Sequence, residues 1–178
     1  DPDSGWVSAS HLENAVTMLE KFVEYHRESK RTVVDAEIRF DVKLGRARIR
    51  GSVDRLEVEA DGSLFIIDFK TGGAAISLKE AKENLQLASY QVGIAEGGFT
   101  QGTVSAGAEL VYLGTSTAGA TLRPQHVIDV EATKEKLNEI AEGMGAAHFF
   151  ATVNKRCKGC PVRKSCPVQN DGRTVIEK

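Results

Sequence analysis

The chain has 178 residues, 41% of them apolar and 27% charged, with a formal net charge of −2. That is enough for one domain with an apolar core and a small appendage, and the near-neutral balance argues neither for nor against a nucleic-acid partner. No apolar run approaches the ~18 residues of a membrane span, no secretory leader or G-x-x-x-x-G-K-[ST] phosphate loop is present, and three cysteines confined to residues 157–166 are not a secreted disulfide framework.

The opening at Asp1 reads as a processed chain or a piece of a longer one. Residues 1–9 are polar and read as a loose leader. Leu12, Ala15, Val16, Leu19, Phe22, Val23 and His26 recur at helical spacing, which predicts a helix over 10–30. Ser10 with Glu13 forms a capping box that starts it at Ser10 or His11. Residues 33–42 read as a first strand. Residues 44–58 read as a second, antiparallel to it around Lys43-Leu44-Gly45-Arg46. A turn at Asp61-Gly62 leads to a third strand over 63–69, ended by Thr71-Gly72-Gly73. Residues 78–96 form the strongest helix, with Leu78, Ala81, Leu85, Ala88, Val92 and Ala95 on one side and Glu96-Gly97-Gly98 as its stop. A loop over 99–107 precedes a fourth strand at 108–114, and the intervening helix makes a right-handed parallel crossover the natural connection. Residues 115–121 read as a surface loop and 125–130 as a short further strand with Pro124 at its edge. A last helix over 131–147 is weakened by Gly143 and Gly145, and 154–178 is a basic, cysteine-bearing tail. The expected fold is α/β, with an α-β-β-β-α-β core over 1–153 and the tail beyond it.

The third strand is apolar on both faces and then ends in Asp68-Phe69-Lys70. Alternation puts Ile66, Asp68 and Lys70 on one face and Phe65, Ile67 and Phe69 on the other. Such a strand is central and buried, and it delivers two charges at its tip. Buried charges are costly unless paired or bound to metal. Glu37 lies on the first strand and Asp54 on the second, so three adjacent strands can bring their tips together. Carboxylates are hard oxygen donors suited to Mg²⁺ or Mn²⁺. An ion there would polarise a scissile phosphate and activate a water, with Lys70 positioning or deprotonating that water or stabilising charge on the phosphate oxygens. The plain alternative is a row of solvated strand-end charges. Gln86 and Tyr90 lie one helical turn apart on a single face of the following helix.

Glu37, Gly51-Ser52-Val53-Asp54-Arg55, Asp68-Phe69-Lys70-Thr71-Gly72 and Gln86-x-x-x-Tyr90 together resemble the PD-(D/E)xK nuclease superfamily, and within it the RecB-like exonuclease branch. The resemblance implies a restriction-endonuclease-like mixed sheet flanked by helices. It implies Asp54 and Asp68 as ligands of Mg²⁺ or Mn²⁺, Lys70 as catalytic lysine and Glu37 as an accessory acid. Gln86 and Tyr90 would line the site and help hold DNA or Lys70. RecB-like nucleases usually carry a histidine ligand ahead of the first strand. His11 and His26 stand in that region but outside its usual Gly-x-x-x-His setting, so that ligand is left unassigned or upstream of residue 1. The resemblance is nearest to the C-terminal nuclease domain of bacterial helicase–nuclease subunits of the RecB, AddB and AdnB type, which process double-strand breaks. It implies DNA, a helicase motor on the same polypeptide and a second subunit as partners, no membrane, and a cytoplasmic, nucleoid-associated location. The other readings are a non-cleaving DNA-binding scaffold of the same fold and a free-standing iron–sulfur exonuclease.

The tail reads Cys157-x2-Cys160-x5-Cys166, a spacing at which thiolates wrap a soft metal or an iron–sulfur cluster. It resembles the C-terminal cysteine cluster of AddB-type helicase–nucleases, where a [4Fe–4S] cluster takes its fourth cysteine from far upstream. Three cysteines do not close a four-thiolate site, which leaves a fourth ligand outside this chain, a zinc site completed by His148, or no metal. Lys155, Arg156, Lys158, Arg163 and Lys164, with no acidic residue from 152 to 170, would track a phosphate backbone or form a solvated terminus.

Overall fold

The computed structural model describes residues 5–169; residues 1–4 of the expected leader and 170–178 of the tail lie outside the described residues. These pack as two units that divide between Asn138 and Glu139. The division by composition at 153/154 therefore does not coincide with the division by packing, which falls inside a helix.

In the first unit, α1 (Gly5–Glu28) precedes a five-stranded sheet of order β1-β2-β3-β4-β5. Its strands are β1 (Thr32–Leu44), β2 (Ala47–Val58), β3 (Leu64–Lys70), β4 (Ser105–Tyr112) and β5 (Thr121–Gln125). β1, β2 and β3 are antiparallel neighbours, β3 pairs parallel with β4, and β5 returns antiparallel along β4. Helices α2 (Leu78–Lys82) and α3 (Leu85–Ala95) make the crossover between β3 and β4. This is the expected mixed sheet flanked by helices. α3 covers one face through Leu87, Tyr90 and Ile94, which pack on Leu64, Ile66 and Leu110. α1 covers the other through Met18, Phe22 and Tyr25, which pack on Phe65, Ile67 and Val111. β3, buried from Leu64 to Asp68, is sandwiched between them.

Several expected boundaries move. α1 begins at Gly5, inside the stretch expected to be a loose leader. The helix expected over 78–96 is two helices. Asn84 takes an extended conformation and its side chain accepts from Leu87 N–H, an N-cap that starts α3 afresh. An apolar stripe running through both helices hides such a break from periodicity. The carbonyls of Ala81, Lys82 and Asn84 at the junction are met by the buried Gln125 side-chain amide, at 3.0, 3.1 and 3.0 Å. β4 starts at Ser105, earlier than expected, with a register irregularity opposite Leu64 and Phe65. The short fifth strand is Thr121–Gln125 and not 125–130. Pro124 sits within it, opposite Glu109, which an edge strand tolerates because its missing N–H leaves no inner ladder bond unmade.

The glycine of the Gly51-x-x-Asp54 segment has a packing role. A Cβ there would come within 2.8 Å of the Phe40 ring, and a Cβ at Gly93 on α3 would meet the same ring at 2.8 Å. Phe40 is therefore clasped between two glycines, which draws α3 close to β1 and β2. Away from the strand tips, the fully buried Glu57 is held by Arg55 at 3.3 Å and by the Ser29 hydroxyl at 3.2 Å. Nearby, the Tyr25 hydroxyl donates to Glu109 at 3.1 Å. In this second cluster every buried charge has a partner within the protein, as burial requires.

The second unit contains the end of α4 (Val130–Gly145) and two short 3-10 turns, Lys155–Gly159 and Arg163–Ser165.

Candidate active site

The pairing of β2 with β3 runs from Val58–Leu64 to Arg55–Ile67 and stops. Asp54 is the next residue along β2. Its Oδ2 accepts the Phe69 N–H at 2.6 Å, so a carboxylate takes over where the ladder ends. Asp68 stands at the same fork, on the α3 side of β3, and is 4% exposed. β2 and β3 part between these two acidic side chains, while β3 stays paired with β4 as far as Lys70.

Asp68 is held by three residues. Its Oδ1 accepts from Gln86 Nε2 at 2.8 Å and from the Tyr90 hydroxyl at 3.1 Å. Gln86 Nε2 also donates to the Tyr90 oxygen at 2.7 Å, and Gln86 Oε1 accepts from Lys70 Nζ at 3.3 Å. Asp68 Oδ2 lies 2.6 Å from Lys70 Nζ. Even so, that oxygen is buried and makes no directional hydrogen bond among the described residues. Charge pairing and hydrogen bonding part company here: the lysine neutralises Oδ2 without satisfying its lone pairs. The Gln86–Tyr90 spacing on α3 thus serves to fix one oxygen of Asp68 and to hold Lys70 beside the other.

The electrostatics of the fork favour a cation beside Asp54. Burial raises the Asp54 carboxyl above the usual range; the Phe69 N–H opposes this, and the neighbouring Asp68 and Glu37 add to it. Burial also pushes the Tyr90 hydroxyl up to about 12, against the Gln86 hydrogen bond and with the help of the Asp68 charge. Tyr90 therefore stays protonated near neutrality and acts as a donor to Asp68.

Glu37 lies on β1 between the pairs Ala36–Arg55 and Ile38–Val53, opposite Asp54. It is exposed and has a φ of +53°, a left-handed conformation that a glutamate adopts at a cost. With Asp54, Phe22 and Phe69 it lines a cavity of about 360 Å³. Arg55 lies 5.1 Å from each of the Phe22 and Phe69 rings, closing the α1 side of that cavity. Sequence reading took Arg55 only as part of a motif; its stacking role depends on α1 lying over β2.

The sequence-derived residues Asp54, Asp68, Lys70, Gln86 and Tyr90 thus come together, and Glu37 stands beside Asp54. His11 and His26 are both exposed on α1. Among the described residues no three His, Cys, Asp or Glu side chains gather closely enough to hold a metal by themselves. Two carboxylates with an unsatisfied buried oxygen suit Mg²⁺ or Mn²⁺, which complete their shells with water and substrate phosphate. The thiols do not fit a cluster in the same way. Cys157, Cys160 and Cys166 are free and half-buried, and Cys157 Sγ accepts from Asn154 N–H at 3.2 Å. A soft metal there would require the segment to close around it and a ligand from elsewhere. Lys155, Arg156, Lys158 and Lys164 carry no ion pair among the described residues. Arg163 lies in the second 3-10 turn. No helix among the described residues is long and apolar enough to cross a membrane.

A sequence profile described as the PD-(D/E)XK nuclease superfamily matches residues 1–167. Among solved structures, one described as the crystal structure of SSO0001 aligns with a TM-score of 0.53 at 17% identity, covering 90% of this chain and 71% of that one. At that identity the likeness is one of fold. No curated protein matches.

Proposed function

The chain belongs to the PD-(D/E)XK nuclease superfamily, and from that premise we propose that it hydrolyses DNA phosphodiester bonds at Asp54, Asp68 and Lys70. The observation that carries this reading is the buried Asp68 Oδ2, which faces Lys70 without a hydrogen bond beside the half-buried Asp54. Asp54 and Asp68 would hold Mg²⁺ or Mn²⁺, which supplies charge neutralisation at the scissile phosphate and a lowered pKa for a bound water.

The protein's own groups position the rest. Lys70 Nζ, a third exposed at the mouth of the site, is steadied by Gln86 Oε1 and Asp68. From there it orients the attacking water and stabilises negative charge on the phosphate oxygens. Water oxygen bonds to phosphorus, the bond to the leaving oxygen breaks, and that oxygen takes up a proton. Tyr90 and Gln86 keep Asp68 aimed by donating to its Oδ1. Glu37 is an accessory acid whose charge adds to the demand for a cation at Asp54.

The finer reading is an exonuclease domain of a bacterial helicase–nuclease that processes double-strand breaks in the cytoplasm. Its partners would be DNA, a helicase motor on the same polypeptide and a second subunit. Lys155, Arg156, Lys158, Arg163 and Lys164 would follow the DNA backbone. Cys157, Cys160 and Cys166 would bind an iron–sulfur cluster only with a fourth ligand from outside this chain.

The test is cleavage of linear single-stranded and duplex DNA with Mn²⁺ by the wild type, Asp68→Ala and Lys70→Ala. Cleavage by the wild type alone is expected. Equal cleavage by all three proteins overturns the assignment.

A further inference from the structure

α1 has two apolar faces, and the sheet uses only one of them. Met18, Phe22 and Tyr25 face the sheet. Leu12, Val16, Leu19 and Val23 are 65, 45, 63 and 41% exposed. Steps of four, three and four residues make these a heptad seam, and at 3.6 residues per turn it lies on the side of the helix away from the sheet. A helix flanking a sheet needs one apolar stripe for its own fold, and a second contiguous one marks an interaction surface. Val16, Leu19 and Val23 already line an open groove of about 560 Å³ along this side.

The charges beside the seam select the partner. Glu13, Glu20 and Glu24 follow one flank and make no ion pair among the described residues. The charged residues of the groove are Glu20, Glu24, Glu28 and Arg27, an acidic balance. Nucleic acid and anionic lipid are repelled by such a surface, and a second copy of the chain would bring the same acidic row. We infer that the outer face of α1 is the docking seam for a partner polypeptide's amphipathic helix, one with a row of Lys or Arg beside its apolar stripe. Apolar residues would interleave along the seam, and the basic row would meet Glu13, Glu20 and Glu24 at its edge. This inference stands apart from the nuclease reading, because α1's outer face contributes nothing to the carboxylate site.

The experiment uses the whole chain and two labelled designed helices of three heptads, both with Leu at the seam positions. One carries Lys at the flanking positions and the other Glu. Fluorescence anisotropy should show the Lys helix binding at least about tenfold more tightly than the Glu helix, with the gap shrinking as salt rises. Leu19→Glu should lose about tenfold in affinity for the Lys helix. The double variant Glu20→Lys/Glu24→Lys should reverse the preference, and it serves as the test if Leu19→Glu does not fold. Equal binding of the two helices, or no reversal by the double variant, overturns the proposal. So does a dimer by sedimentation that Leu19→Glu dissolves, since a second copy would then cover the seam.

Discussion

Asp54 carries much of the electrostatic cost of the site. Its carboxyl is raised first by burial and then by Asp68 and Glu37. A carboxyl raised in the folded state binds its proton more tightly there than in the unfolded chain. Stability of the metal-free protein therefore falls as pH climbs from the unfolded carboxyl value through the raised one. Asp54→Asn removes the charge while keeping an oxygen acceptor for the Phe69 N–H. We expect no cleavage from this variant but a metal-free Tm at pH 7 higher by on the order of 1 °C, a figure reduced for the solvent screening of a half-exposed group. Calorimetry from pH 4 to 7 should show its advantage vanish at the acid end; an advantage independent of pH would remove the electrostatic explanation. Tyr90→Phe makes a complementary test. It keeps the edge-on ring contact with Phe40, at 5.9 Å between centroids, and loses the bond to Asp68 Oδ1. A loss of about 1 kcal/mol in urea unfolding is expected, with a roughly tenfold fall in cleavage rate.

At the scale of elements, the break between α2 and α3 decides where Gln86 stands. Asn84 caps α3, and Gln86 is the second residue of that helix. Asn84→Ala should destabilise by about 1 kcal/mol and lower cleavage several-fold through fraying of the turn that bears Gln86, whereas Asn84→Ser should restore both. Gln125 secures the same junction from β5, with its amide directed at three carbonyls and its oxygen accepting from Gln91 at 3.1 Å. Gln125→Leu should cost about 2–3 kcal/mol, because it leaves buried groups without partners. Chemical denaturation of that variant measures the loss, and a cost under half a kcal/mol would show that water replaces the amide. Neither Gln91 nor Gln125 is marked out by spacing in the sequence: their bond spans more than thirty positions, so the network exists only once α3 lies beside β5.

For the whole molecule, an ion held at the carboxylate fork would link metal binding to folding. Mn²⁺ at a hundredfold excess over its dissociation constant should stabilise the protein by about 2.7 kcal/mol, a rise in Tm of roughly 5–10 °C for a chain of this size. The rise should disappear with a chelator and be absent in Asp68→Ala. A thermal shift of equal size in Asp68→Ala would place the ion elsewhere.

The sequence by itself determined the mixed sheet, the antiparallel β1–β2–β3 run and the carriage of Asp68 and Lys70 on one face of a buried strand. Those features follow from local rules: side-chain alternation, turn residues and an apolar run too complete for an edge strand. It also placed Gln86 and Tyr90 on one face of a helix, since helical spacing is local too. Tertiary structure alone decided what they do there. Packing of α3 across β3 turns Gln86 and Tyr90 onto Asp68 Oδ1, and the end of the β2–β3 ladder gives Asp54 to the Phe69 N–H. The place of β5 was likewise decided by contacts between distant segments, and its Gln125 meets the carbonyls where α2 gives way to α3. A hydrogen bond across the sheet depends on which strands are neighbours and where their pairing stops, and no spacing along the chain encodes that directly.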